Sequence, residues 1–124
     1  MATSRIEDAG QTLTSPTGKL LGVVDTRANL DSLAAALKAA GFAKLEYLVG
    51  DEGLALLERV DQFFFSDMEE RVLVRHIDEL KAGHKIVAIQ APPDRVEEAT
   101  RIASEHGARR LVYFGRMAIT WLTK

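Results

Sequence analysis

Residues 19–50, KLLGVVDTRANLDSLAAALKAAGFAKLEYLVG, and residues 85–115, KIVAIQAPPDRVEEATRIASEHGARRLVYFG, decide the fold, because each reads strand–helix–strand. Laid over one another, they place Gly41 on Gly107, Leu45 on Leu111 and Tyr47 on Tyr113. In the first unit, LLGVV within Lys19–Thr26 is a nearly continuous apolar run, as a covered central strand requires. Asn29 is placed to cap the next helix and Asp31 complements its first turn. Leu30, Leu33, Ala34, Leu37 and Ala40 recur at three- and four-residue spacing and form one apolar stripe. Gly41 stops that helix, and Lys44–Val49 alternates as a second strand. In the second unit, Lys85–Gln90 is a strand broken by Pro92-Pro93. Asp94 with Glu97 makes a capping-box-like helix start. Val96, Ala99, Ile102 and Ala103 line the buried face, Gly107 ends the helix, and Arg110–Phe114 is the fourth strand.

Residues 51–83 stand outside the repeat. Glu52–Phe65 reads as a helix, Ser66 or Asp67 can cap another, and Val72, Leu73, Ile77 and Leu80 form its stripe before Gly83. After Gly115, the residues Met117, Ile119, Trp121 and Leu122 predict a docked extension, as a strand or a short helix. The expected class is therefore α+β: a ferredoxin-like βαβ–(helical insert)–βαβ plait with a four-stranded antiparallel sheet, order 4-1-3-2. An open parallel sheet of the flavodoxin kind would need a regular βα alternation, which the helix pair at 51–83 breaks.

At 124 residues one domain is the natural size. Residues 1–17, polar and rich in Ser and Thr, read as a flexible tail that a protein partner could hold. Residues 18–124 read as the domain. There is no cysteine, which excludes disulfides, thiolate zinc sites and cysteine nucleophiles; that composition and the lack of a signal peptide or spanning run point to the cytoplasm. The net charge of −2 gives no global case for nucleic acid. Charge is uneven, however: Lys44–Glu79 is acid-rich, whereas His106–Lys124 holds Arg109, Arg110, Arg116 and Lys124 without an acid. This reads as a solvated acidic face and a basic edge, or as complementary patches for head-to-tail association.

Gly83-His84, His106-Gly107-Ala108 and Tyr113-Phe114-Gly115-Arg116 carry a resemblance. With Val49-Gly50-Asp51, over residues 20–122, the chain resembles small bacterial proteins related to the heat-induced general stress protein family. That resemblance implies a ferredoxin-like fold and a stress association. It brings no catalytic residue to carry over, and Met117 stands where such proteins often have an aromatic residue.

In the plait, strands one and two end at the edge where strands three and four begin. That edge gathers Asp25, Thr26, Arg27, Asp51, Glu52, His84, Arg109 and Arg110. Asp25, Arg27, Asp51, His84, Arg109 and Arg110 are the candidate ligand-binding residues. A carboxylate beside His84 could orient a general base, and a helix start beside Arg27 could receive an anion; equally, loop ends are where charged side chains collect. His76 borders an apolar stripe and reads as a satisfied boundary histidine. The three histidines lack metal-ligand spacing. Neither GxGxxG nor GxxxxGK[ST] occurs, so no cofactor is expected, and no serine has a nucleophile-elbow context. Phe63, Phe64 and Phe65 cannot share one face of a helix, because successive residues rotate by about 100°. At least one needs a second surface: the open face of the sheet or a subunit interface, to which Trp121 could also belong. The functional expectation is a non-enzymatic, self-associating protein acting through protein contacts. A small-ligand or anion-sensing module at the Asp25/His84/Arg109 edge is the alternative, and a small dimeric plait enzyme the third reading.

Overall fold

The strand Lys19–Val24 (β1) has all six residues buried, because it is flanked by strands on both sides and by helices on both faces. The computed structural model describes residues 16–42, 44–65, 73–115 and 119–122, and side chains as far as Gln62 in the helix that ends at Phe65. The tail over residues 1–15, caps at Ser66 and Asp67, and the side chains of Phe63, Phe64 and Phe65 lie outside the described residues.

After β1 come helix Arg27–Ala39 (α1), strand Leu45–Leu48 (β2), helices Gly50–Phe65 (α2) and Val74–Lys81 (α3), and strand Lys85–Gln90 (β3). A 3-10 turn at Pro93–Arg95 leads into helix Val96–Glu105 (α4), followed by strands Arg109–Phe114 (β4) and Ile119–Trp121 (β5). The sheet is antiparallel throughout, with order β2-β3-β1-β4-β5. It therefore has five strands, not four: the segment after Gly115 folds back on β4, pairing Phe114 with Ile119 and Val112 with Trp121. Order 4-1-3-2 omitted this fifth strand because three residues of alternating pattern are too short to tell from a helical turn.

Period-two alternation sorts the core into two layers. Leu20, Val24, Tyr47, Val87, Ile89, Leu111 and Tyr113 face α1 and α4. Leu21, Val23, Leu48, Ile86, Ala88, Val112 and Phe114 face Leu57 and Val60 of α2 and Leu73, Ile77 and Leu80 at α3. The insert thus covers the face that two βαβ units alone would leave bare, and burying its leucines there stabilises by roughly 2 kcal/mol per side chain.

Two helix starts differ from the reading of the sequence. Thr26, not Asn29, caps α1: its hydroxyl accepts from the Asn29 backbone N–H at 3.1 Å. Thr26 holds the extended backbone a cap needs, whereas Asn29 is already helical. At α4 the Pro93–Arg95 turn displaces the expected Asp94 cap, and Arg95 precedes the helix with no side-chain cap. Arg95 instead donates to the Ala40 carbonyl at 2.8 Å and lies 4.0 Å over the Phe42 ring, tying the ends of α1 and α4 together.

Candidate functional site: the clamp at the β4 bulge

Strict strand alternation would put Arg109 and Arg110 on opposite faces of the sheet. Both nevertheless reach Glu79 on α3. The pairing of β1 with β4 runs Leu21 with Val112, then Val23 with Arg109, so two β4 residues oppose Gly22. Arg110 adopts a left-handed φ of 52°, rare for a residue with a side chain. This is a β-bulge, which bends the strand and re-aims its side chains. Gly22 makes room for it: a Cβ there would sit 2.5 Å from Leu111 Cδ2.

Glu79 sits at the centre of the cluster. Arg109 donates to both its oxygens, at 2.6 and 2.9 Å, Arg110 Nε donates at 2.8 Å, and His84 Nδ1 lies 2.6 Å away. Asp25 accepts from Arg109 at 2.6 Å, with His84 Nε2 at 3.8 Å. The Arg109 guanidinium, first of all, holds the Glu79 carboxyl well below the usual carboxylate range, and Glu79 in turn raises Arg109. Asp25, His84, Arg109 and Arg110 are therefore brought together as the topology requires. Glu79 was missed as their centre, because it lies on the insert; its position three residues after His76 was the available signal.

Arg27 pairs with Asp31 one helical turn on, at 3.1 Å. Asp51 stands exposed at the start of α2, after β2, and β3 lies between β2 and β1. Of the six expected residues, four therefore gather around Glu79.

Asp25, Glu79 and His84 offer ligand atoms within 4.8 Å of one another, which is the spacing a cation would need. The Arg109 guanidinium already lies against both carboxylates, and the two acids balance the two arginines. The arrangement fits an internal ion-pair network better than a metal centre.

His76 completes the clamp. It is wholly buried, and Nε2–H donates to the Arg110 carbonyl at 2.9 Å, satisfying a backbone oxygen at the bulge. Nδ1 is buried with no hydrogen-bond partner among the described residues. Burial pushes the imidazole down to about 4. Trp121 of β5 stacks on the ring, with centroids 6.1 Å apart and planes at 26°. The reading of His76 as a satisfied boundary histidine is corrected: it lies inside, and one nitrogen has no partner among the described residues. His106 pairs instead with Ser32 of α1.

At the opposite end of the sheet, Thr17, Gly18, Gln90, Ala91, Pro92, Pro93 and Tyr113 line an open depression. The Tyr113 hydroxyl there donates to the Ala91 carbonyl at 2.9 Å. No helix among the described residues is long and apolar enough to cross a membrane. No family model, curated protein or solved structure matches the chain.

Proposed function

We propose that the chain is a ferredoxin-like plait with an added edge strand that works without catalysis, by associating with a second copy of itself through β5. One observation carries this reading. The three exposed large apolar side chains among the described residues are Trp121, Leu122 and Val74. Two belong to β5 and the residue after it; the third opens α3, the helix on which Trp121 rests. Half-exposed tryptophan at a sheet edge is the kind of anchor that dominates protein interfaces.

The backbone supports the same surface. Leu122 N–H bonds the Leu111 carbonyl at 2.8 Å. By the alternation of antiparallel ladders, Thr120 also faces β4, while Ile119 and Trp121 turn their backbone groups to the open side. Among the described residues no strand pairs with this side of β5; such an edge is a template for another strand, and two copies of β5 can meet symmetrically across a two-fold axis. Head-to-tail pairing of acidic and basic patches has less support, because Arg109 and Arg110 are engaged with Glu79 and Asp25 inside the chain. A stress association rests on the sequence resemblance alone.

Sedimentation over a hundredfold concentration range tests the proposal. We expect a dimer that Trp121→Ser and Ile119→Pro each weaken at least tenfold; the second removes an N–H from the open edge and leaves the β4 ladder intact. A monomer throughout that range overturns it.

The alternative, an anion-sensing site at the Asp25/His84/Arg109 edge, has one observation in its favour: His84 Nε2 and a half-exposed Asp25 lie beside Arg109 at the surface. A metabolite or inorganic phosphate that raises the melting temperature of the parent, but not of the Asp25/His84/Arg109 triple-alanine variant, supports it. Equal shifts for both proteins, or none for either, rule it out.

A further inference from the structure

His76 joins three elements at one point. Its ring belongs to α3, Nε2–H is committed to the β4 bulge, and Trp121 of β5 covers its face. The Nε2 bond fixes the neutral tautomer, so the lone pair on Nδ1 points into a buried place without a donor. A proton arriving there makes a second N–H and a positive charge, with no acceptor among the described residues. Such a buried, unpartnered cation is far costlier than the neutral ring.

Relief is available on one side only. The β4 side holds the Arg110 carbonyl and cannot retreat without opening the bulge. β5 is three residues long, an edge strand, with Thr120 and Trp121 exposed. Short edge elements with few buried contacts open at the low end of a protein's local stabilities. Lifting Trp121 would bring water to the imidazole while the two core layers stay closed.

We propose that His76 is an acid-sensitive seat for β5: protonation at Nδ1 releases Trp121 and the edge strand while the rest of the fold persists. The neighbouring charges act in opposite senses. Arg110, across the bulge on β4, disfavours the imidazolium, and Glu79, one turn along α3, favours it. Glu79 stays ionised through the mildly acid range because its arginine partners hold its proton affinity low. β5 contributes Trp121 and no charge, and Asp61, the buried carboxylate of α2, is not among the groups that shift the ring. The inference concerns contacts within one chain and stands whether or not β5 pairs with a second copy.

Trp121 is the sole tryptophan, so its emission reports the seat directly. The full chain is titrated from pH 8 to 3.5 at a concentration where sedimentation finds monomer, or at fixed oligomeric state, with far-ultraviolet circular dichroism and amide hydrogen exchange read in parallel. We expect the emission to shift to longer wavelength, and the protection of the Thr120 and Leu122 amides, taken relative to their intrinsic exchange rate at each pH, to fall at least tenfold, before the dichroism changes. His76→Gln keeps an N–H donor for the Arg110 carbonyl and cannot titrate, so it should hold both signals flat over that range. His76→Phe serves as a second non-titrating ring should the glutamine variant fold poorly. Emission that moves only with the dichroism overturns the proposal. So does quenching with unchanged amide protection, which means that the proton is accepted with β5 still seated. An identical titration in the non-titrating variants overturns it as well.

Discussion

His76 and Glu79, three residues apart on one face of α3, grip the same step of β4 from two directions: His76 holds the Arg110 carbonyl, and Glu79 holds the Arg109 and Arg110 side chains. The insert is thus more than a cover for the sheet. It pins a bulge whose central residue sits in a backbone region that costs about 1–3 kcal/mol and persists only where its surroundings enforce it.

Glu79→Gln should destabilise the fold by about 2 kcal/mol, measured by urea unfolding. The Glu79 side chain is 12% exposed and its two arginine partners are 34% and 29% exposed. The effect should therefore fall between that of a surface pair and that of a fully buried one. Asp25→Asn, at a side chain 48% exposed, should cost no more than about 0.5 kcal/mol. Equal effects for the two would mean that Glu79 is not the centre of the cluster.

Gly22→Ala tests the bulge from the other side. The new methyl would meet Leu111 Cδ2 at 2.5 Å and the Arg109 carbonyl at 3.3 Å. Leu111 is fully buried and has nowhere to swing, so a loss of about 1–3 kcal/mol is expected. A neutral substitution would show that β1 and β4 can separate here without loss.

Stability should fall on mild acidification. The folded His76 is depressed to about 4 from 6.5, so the unfolded chain binds a proton that the folded one refuses. Its contribution is complete above pH 6.5 and is lost as the pH falls toward 4, by about 3 kcal/mol in all. Glu79 is also depressed, and its contribution begins to go only below its ordinary value of 4.5. Urea midpoints of His76→Gln should be flat from pH 6.5 to 4.5, while those of the parent decline.

Thr26→Ala should cost about 1 kcal/mol, as loss of a helix cap does, while Asn29→Ala should leave the α1 cap intact. Thermal unfolding of the two variants separates them. A larger loss at Asn29 would mean that its side chain, close against Gly107, matters more than the cap.

Much of this was written locally in the chain. The apolar run of β1, the stripe through Leu30, Leu33 and Leu37, and glycines at 41, 83 and 107, each with positive φ, announce the elements and their ends, because backbone sterics and periodicity act within a few residues. The repeat also placed Asp25, His84 and Arg109 at one edge, since right-handed crossovers leave few other topologies. Tertiary structure decided the rest. Whether the insert or another chain covers the second face depends on how far α2 and α3 reach. Glu79 became the centre of the edge only once α3 lay beside β4. The bulge at Arg110 depends on a missing Cβ in Gly22, on the neighbouring strand but far away in sequence, and it alone turns both arginines to one carboxylate. His76 looked like a boundary residue because polarity is read one element at a time. Its burial, its single bond and its bare nitrogen follow from three elements closing over it, which no local pattern encodes.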